Sequence, residues 1–277
     1  MKQRIISVTT ALALLCSLAV GTAAEKPDAS VELKEVVTKV NDKLKAGKTS
    51  EADLAPELAE FDALLARHKD EKTDDVARIL FMKAQLYIEV FDNTEKGAVL
   101  VEQLKKDYPD TKWGKQADGI LDSIKKQEQA KAIQKTLVTG ATFPDFDEKD
   151  LAGKPLSVAN YKGKVVLLDF WATWCPPCRA ELPNVIKTYE KHHDQGFEII
   201  GISLDEDQAK LKSFTAEQKM TWPQYFDGKK WENKLATKYG IQSIPATFLI
   251  DGEGKIIGRD LRGEALEEAV AKLLLKK

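Results

Sequence analysis

The sequence predicts an all-α helical-hairpin domain followed by an α/β three-layer domain, and two patterns support this order. Apolar residues recur every three or four positions through residues 30–136, as they do in amphipathic helices. Short apolar runs typical of strands then alternate with helical segments. A polar stretch that contains Gly140 and Pro144 lies at this change. We therefore predict a helical domain at residues 25–137 and an α/β domain at residues 138–277.

The first 24 residues have the pattern of a signal peptide. A basic start precedes an apolar run over residues 5–20, and small residues ending at Ala24 form an A-x-A-like cleavage site. The alternative is a membrane anchor, but the run is short for a span of about 20 residues. Leu15 before Cys16 disfavours a lipoprotein, whose acylated cysteine normally follows a small residue. We expect export to the periplasm or another extracytoplasmic space, with cleavage near Ala24.

Residues 25–137 contain five helical segments joined by short polar turns, a pattern that suggests stacked helical hairpins. The first is "VELKEVVTKVNDKLKAG", which places Val36 and Val40 on one face and ends at Gly47, a predicted C-cap. The second is "SEADLAPELAEFDALLARH", for which Ser50 is the candidate N-cap. The others are "DDVARILFMKAQLYIEVF", "TEKGAVLVEQLKKDYPDT" and "KWGKQADGILDSIKKQEQAKAI".

Part of this helical region resembles a degenerate tetratricopeptide repeat. The resemblance lies in residues 77–124, which include "YPDTKWGKQADGIL", but one repeat is found where such arrays contain three or more. An ordinary helical bundle is the alternative. Tyr108 and Trp113 are predicted to belong to the core rather than to a binding groove. The helical domain is expected either to bind a protein partner or to dimerise the chain.

The first predicted strand of the α/β domain lies in "KVVLLDFWA", residues 164–172. An unbroken apolar run of this length is typical of a central strand covered on both faces. After it come a helix in "RAELPNVIKTYEKHH", a strand in "FEIIGISL", helices in "EDQAKLKSFTAEQ" and "WENKLATKYG", strands in "ATFLID" and "KIIGRDL", and a closing helix in "EALEEAVAKLLLKK". Asp251 to Gly254 predicts a hairpin turn between the last two strands.

Cys175 and Cys178 are the cysteines that remain after Cys16 leaves with the signal peptide. A C-x-x-C pair at a strand-to-helix junction is the redox signature of thioredoxin-like folds. At the start of a helix, the thiol of Cys175 meets the positive end of the helix dipole, which lowers its pKa and favours the reactive thiolate. A structural disulfide is the weaker alternative, because closing so short a loop stabilises a fold little.

Two other uses of the cysteine pair are disfavoured by the sequence. A structural zinc site needs four ligands, and the chain offers no second cysteine pair beside its three histidines, His68, His192 and His193. A peroxidatic site of the peroxiredoxin type has a threonine three residues before the reactive cysteine, where this chain has Ala172. We therefore expect no metal and no cofactor other than a redox-active Cys175–Cys178 disulfide.

The charge balance gives no support to two classes of partner, nucleic acid and acidic membrane surfaces. Charged residues make up 31% of the chain but nearly cancel, to a net charge of −2 at pH 7. The sequence therefore gives no electrostatic basis for binding nucleic acid.

The segment "VVLLDFWATWCPPCRAELP" resembles the active-site segment of thioredoxin-like proteins, and "WCPPCRAELP" is similar to that of TlpA/ResA-type exported thiol-disulfide oxidoreductases. The resemblance covers about residues 140–277. It implies a thioredoxin-like fold for that region and disulfide exchange in which Cys175 attacks and Cys178 resolves the mixed disulfide.

A second segment, "YGIQSIPATFLIDGEGKII", resembles the proline loop of the same fold. This resemblance implies a cis peptide bond before Pro245, beside the cysteine pair. It also implies that Ile244 offers its backbone groups to an extended segment of the substrate.

Asp169 departs from the pattern of the exported group, which often has Asn at this position. An aspartate six residues before Cys175 resembles instead the buried acid of thioredoxins proper. A buried carboxyl has a raised pKa and can take the proton of Cys178. The alternative is a strand-end aspartate that faces solvent.

Five neighbours of the pair are candidate site residues. Trp174 is expected to shield the thiolate and to form part of the partner surface. Pro176 and Pro177 are expected to contact the substrate and to rigidify the first turn of the helix, where a missing N–H costs no hydrogen bond. Arg179 is either a modulator of the thiolate or an ordinary exposed charge. Glu181 matches the exported group's motif and is either a functional charge or a first-turn acid that the helix dipole favours.

Together these features predict an exported thiol-disulfide oxidoreductase that reduces disulfides in envelope proteins. The resemblance implies apocytochrome c or other envelope thiols as substrates and a membrane-bound thiol reductase as electron donor. The prolines remove two donors from the thiolate and no cation lies between the cysteines, which favours a reductant. The alternatives are a disulfide oxidase or isomerase, and a helical-repeat binding protein that uses the thioredoxin-like domain for docking.

Overall fold

The computed structural model describes residues 28–275 and divides into two compact units. The first unit ends at Ala117 and the second begins at Asp118. Residues 118–137, which the sequence assigns to the helical domain, therefore group with the second unit. The predicted signal peptide lies outside the described residues. Across residues 28–275, no helix combines the length and the apolar character that crossing a membrane requires.

The first unit is all α, as predicted. Its helices are α1 Ala29–Lys45, α2 Ala55–Arg67, α3 Asp74–Gln85, α4 Thr94–Asp107 and the beginning of α5 Lys112–Gln134, and a π turn at Leu86–Val90 prolongs α3. Helix α2 begins at Ala55 and not after Ser50, which was the predicted N-cap. The Ser50 hydroxyl instead donates to the Asp53 carboxylate at 2.5 Å within a preceding turn. Pro56 then follows in the first turn of α2.

Consecutive helices of this unit pack on one another, α1 on α2, α2 on α3 and α3 on α4. Their shared core contains Phe61, Ile79 and Leu104, each 1% exposed or less. Tyr108 is buried in the same cluster. Trp113 packs against it and stacks on Phe81 with ring centroids 4.3 Å apart. Both aromatic residues therefore belong to the core, as predicted, and the tetratricopeptide assignment stays a prediction.

The second unit is built on a five-stranded sheet in the order β5-β4-β3-β6-β7. The strands are β3 Val165–Trp171, β4 Phe197–Ser203, β5 Gln224–Phe226, β6 Ala246–Ile250 and β7 Ile256–Arg259, and a separate two-stranded ribbon pairs β1 Glu148–Lys149 with β2 Pro155–Leu156. The central strand β3 pairs in parallel with β4, and β4 pairs in parallel with β5. On the other side, β3 pairs antiparallel with β6, and β6 pairs antiparallel with β7. All seven residues of β3 are buried, as the apolar run predicts.

Helices cover both faces of this sheet. Its helices, besides the end of α5, are α6 Pro176–His192, α7 Gln208–Glu217, α8 Lys234–Lys238 and α9 Gly263–Leu274. Helices α6 and α9 pack together on the face of β3 that carries Asp169. The opposite face carries Phe170, whose ring lies against those of Tyr239 and Phe248. This three-layer arrangement confirms the predicted thioredoxin-like α/β fold.

The end of α5 is bound to the rest of the second unit. The Gln134 side chain donates to the carbonyl of Tyr239, and the Arg259 guanidinium donates to the Leu137 carbonyl at 3.2 Å. Gly240 has a φ of 62° and lies against Ala130, so that a Cβ at residue 240 would lie 2.7 Å from the Ala130 carbonyl oxygen. Only glycine combines this backbone conformation with so close an approach.

Candidate active site

The cysteine pair lies where the central strand passes into α6. Strand β3 ends at Trp171, and Cys175 is the residue that caps α6, with Pro176 and Pro177 as its first two helical residues. The sulfurs of Cys175 and Cys178 form a disulfide. Because neither proline has an N–H, the first donor that reaches the Cys175 sulfur is the N–H of Cys178, at 3.2 Å.

The loop before the cysteines is held by a residue that the sequence analysis did not single out, Asp205. Its carboxylate accepts hydrogen bonds from the backbone N–H of Thr173, at 3.1 and 3.2 Å, and from the Thr173 hydroxyl. The Ser203 hydroxyl donates to the same carboxylate at 2.8 Å. Asp205 follows β4, the parallel neighbour of β3. An acidic residue just after a strand beside the motif strand was the signal that could have identified it.

The predicted proline loop lies beside the disulfide. The peptide bond between Ile244 and Pro245 is cis. The carbonyl oxygen of Ile244 is 3.7 Å from the sulfur of Cys175. Arg262 stabilises the loop through hydrogen bonds. Its guanidinium donates to the Pro245 carbonyl and to the Thr247 hydroxyl, each at 2.8 Å.

Asp169 is buried, and the solvent-facing alternative is therefore wrong. It lies in the middle of β3, 5% exposed, and lines a cavity of about 10 Å³ together with Cys178 and Pro245. Such a cavity has room for about one water molecule. Burial raises the pKa of Asp169 to about 7, the positive charge of Arg262 acts against this rise, and the negative charge of Glu181 adds to it.

Glu181 lies in the second turn of α6, so the expectation of a first-turn acid is wrong. Its carboxylate accepts a hydrogen bond at the start of another helix. One oxygen accepts the N–H of Gly263, the first residue of α9, at 2.6 Å, and the other accepts from the Asn184 amide at 3.1 Å. An acid at a helix N-terminus satisfies a free N–H and interacts favourably with the helix dipole. The same charge lies close enough to Asp169 to raise its pKa.

Trp174 and Arg179 lie on the surface around the pair. Trp174 is 42% exposed, and its ring meets that of Trp231 edge-on, with centroids 6.1 Å apart. The Arg179 guanidinium lies 5.8 Å from the centre of the Phe214 ring on α7. This contact gives Arg179 a packing partner of its own, in agreement with the alternative of an ordinary exposed charge.

The three histidines are not gathered into a metal site. Within residues 28–275, no group of three or more His, Cys, Asp or Glu side chains has the arrangement to hold a metal ion. His68 lies between Glu32 and Glu71, with ring nitrogens 2.8 and 3.0 Å from their carboxylates. His192 is buried in α6.

The second half of the chain is similar to known proteins. A family model described as AhpC/TSA family matches residues 139–259. The thiol-disulfide oxidoreductase ResA of Bacillus thuringiensis subsp. konkukian is 35% identical over 137 residues, which are 50% of this chain and 77% of the relative. ResA of Bacillus subtilis is 31% identical over 126 residues, 46% of this chain and 69% of the relative. The solved thioredoxin domain of a thiol-disulfide oxidoreductase from Bacteroides vulgatus is 38% identical at a TM-score of 0.46, covering 50% of this chain and 99% of that chain.

Proposed function

Because the chain belongs to the ResA family of thiol-disulfide oxidoreductases, we propose that it reduces disulfides of exported proteins through Cys175 and Cys178. The observation that carries this proposal is the different surroundings of the two sulfurs. Cys178 lines the small cavity that Asp169 also lines, whereas Cys175 lies beside the Ile244 carbonyl. Its neighbours Trp174, Pro176 and Pro177 are exposed, so a partner approaches from their side.

The first step is the attack of the Cys175 thiolate on a disulfide of the substrate. A bond forms between Cys175 and one substrate sulfur, the substrate disulfide breaks, and its second sulfur leaves as a thiolate. The N-terminus of α6 supports the negative charge on Cys175 through the helix dipole and the N–H of Cys178. The backbone of Ile244 offers hydrogen bonds to an extended substrate segment.

The second step releases the substrate. Cys178 loses its proton to the Asp169 carboxylate, through the single-water cavity or directly, and its sulfur attacks that of Cys175. The mixed disulfide breaks, the substrate leaves as a dithiol after protonation, and the Cys175–Cys178 disulfide remains. Two electrons have then passed from the cysteine pair to the substrate.

The proposed direction is reduction, in an extracytoplasmic compartment that the predicted signal peptide would reach. Pro176 and Pro177 leave the Cys175 sulfur with few backbone donors, and residues 176 and 177 carry no cation, so the thiolate is not strongly stabilised. Envelope proteins, among them apocytochrome c, are the proposed substrates. A membrane-bound thiol reductase is the proposed electron donor, and the cysteine pair is proposed to work without a further cofactor.

Insulin reduction tests the mechanism. The reduced wild-type protein should accelerate it, and a Cys175→Ser variant should not. Activity that survives this substitution refutes the assigned chemistry, and an inactive wild type favours the docking alternative. A Cys178→Ser variant should stay linked to its substrate, which mass spectrometry of trapped complexes identifies. A measured potential well above about −180 mV would contradict the reductant role and favour an oxidase or isomerase.

A further inference from the structure

An apolar groove lies beside the active site, between the end of α5 and α8. It has a volume of about 610 Å³, within the range of pockets that bind organic ligands. Its apolar lining comes from Ala130 and Ile133 on α5, Ala236 on α8, and Trp231 and Ile241. The helix that forms one wall lies outside residues 139–259, which match the family model. The groove is therefore a feature of this chain in addition to the family's domain.

The groove walls are fixed in place. Gly240 and Ala130, which both line the groove, are in close backbone contact. The Gln134 side chain holds the end of α5 to the Tyr239 carbonyl. A groove with fixed walls requires little ordering when a ligand binds, so less of the interaction free energy is lost.

The groove is continuous with the cysteine site by two routes. Trp231 lines the groove and touches Trp174, the residue before Cys175. Gln242 also lines the groove and lies two residues before Ile244, whose carbonyl is next to the Cys175 sulfur.

Trp231 is exposed and follows a residue with an unusual backbone conformation. Lys230 before it has a φ of 52°, a left-handed conformation that non-glycine residues rarely adopt. Trp231 is left 43% exposed at the mouth of the groove. An exposed aromatic pair beside a reactive sulfur is typical of a binding surface, because rigid aromatic side chains contribute strongly to the free energy of binding.

We propose that this groove binds a large apolar side chain of an extended polypeptide substrate, two to four residues from the substrate's reactive cysteine. The proposal rests on the proposed function and names the substrate class for the same site. A segment that pairs with the Ile244 backbone runs along the loop towards Gln242, and an extended chain advances about 3.3 Å per residue. At the rim, Lys126 pairs with Asp122 on its own helix, and Glu232 carries the opposite charge. Apolar contact, not charge, is therefore the selective feature.

Two disulfide-containing peptides that differ only in Leu or Ser three residues from the cysteine test this inference. With the reduced full-length protein, kcat/KM should be about tenfold higher for the Leu peptide, since burying one leucine accounts for such a ratio. Ile133→Glu should bring the ratio close to one. Ala132→Glu, which adds the same charge at an exposed neighbouring position outside the groove, should keep it.

Thr237→Lys on the opposite wall provides a second variant if Ile133→Glu unfolds. Thr237 is exposed in the free protein, and a cation suits the end of α8. Thr237→Lys should also lower the ratio of kcat/KM for the Leu peptide to that for the Ser peptide. Equal rates for both peptides with the wild type overturn the inference and leave the proposed function intact, whereas no reduction of either peptide overturns the proposed function. Concentration-dependent dimerisation that Ile133→Glu abolishes would assign the groove to a second copy and overturn the substrate assignment.

Discussion

The carboxylate of Glu181 accepts the N–H of Gly263 at 2.6 Å and thereby joins the active-site helix to the last helix, 82 residues later in the chain. Arg262, the residue before Gly263, holds the Pro245 carbonyl of the proline loop. Asp169 is therefore flanked by a fixed negative charge and a fixed positive charge. The two charges act on its pKa in opposite directions, and this arrangement makes the proposed proton acceptor testable.

Replacing Asp169 with Asn should remove the base for the second step. In the wild type, the rate at which the mixed disulfide is resolved should rise as pH increases through about 7, because the carboxylate is the active form. The variant should lose this rise and react about tenfold to a hundredfold more slowly at pH 7.5. Stopped-flow measurement of a preformed mixed disulfide checks this, and an unchanged pH profile would contradict the role.

The same substitution should stabilise the oxidised protein at alkaline pH. The pKa of Asp169 is raised in the folded state, so the folded protein binds one more proton than the unfolded chain between about pH 4 and pH 7. Stability therefore falls as pH rises through this window and stays lower above it. Asp169→Asn should gain about 2 to 4 kcal/mol at pH 8 and little at pH 4. Denaturant titrations at both pH values measure the difference, and an equal gain at both contradicts a buried carboxyl.

Glu181→Gln should lower the pKa of Asp169. The substitution removes a nearby negative charge but keeps an oxygen for the N–H of Gly263, so the link between α6 and α9 should survive. We expect the pH midpoint of the second step to move down by about half a unit. Carboxyl-carbon NMR of Asp169 follows the same titration, and a midpoint that moves up would exclude a direct charge effect.

Arg262→Gln should have the opposite effect on the pKa of Asp169. Loss of the guanidinium removes the attraction that favours the Asp169 carboxylate, so the midpoint should rise. The rise should exceed the Glu181→Gln effect, because Arg262 is the larger of the two influences. Arg262→Lys restores the charge and should restore most of the midpoint. A variant with normal pH dependence but slow substrate attack would show that Arg262 acts only by holding Pro245.

Asp205→Ala should destabilise the loop before the cysteines. The carboxylate is 3% exposed and accepts from Thr173 and Ser203, and its removal leaves these donors without a partner in a buried place. We expect a loss of about 2 to 4 kcal/mol in unfolding free energy. Asp207→Ala is a suitable control, because Asp207 is an exposed cap of α7. A similar loss in both variants would show that Asp205 is no more than a capping residue.

Strand β3, strand β4 and the position of the cysteine pair were predictable because their signals are local. A seven-residue segment with six apolar residues and a C-x-x-C after it are visible in a short window. Strand β5 was missed because it has three residues, and the β1–β2 ribbon because each strand has two. Such short strands are defined by pairing with distant neighbours, which a sequence window does not contain.

The site residues also divide into those with a local sequence signal and those defined by contacts between distant segments. Burial of Asp169 follows from its place in a strand whose other six residues are apolar, and the sequence indicated it. The partners of Glu181 and Arg262 lie on other elements, and no local pattern marks them. Asp205 acts on Thr173 from 32 residues away, through the parallel pairing of β3 and β4. These contacts are set by the fold and not by spacing along the chain.

The attachment of α5 determines where the redox unit can be cut from the chain. A fragment that starts at residue 138 would lack Ala130 and Gln134, which cover Gly240 and the Tyr239 carbonyl. It would expose apolar side chains such as Ile241 to water and invite self-association. A fragment that starts near Asp118 retains this helix. Catalytic measurements on the shorter piece would therefore describe an enzyme with a different surface beside its disulfide.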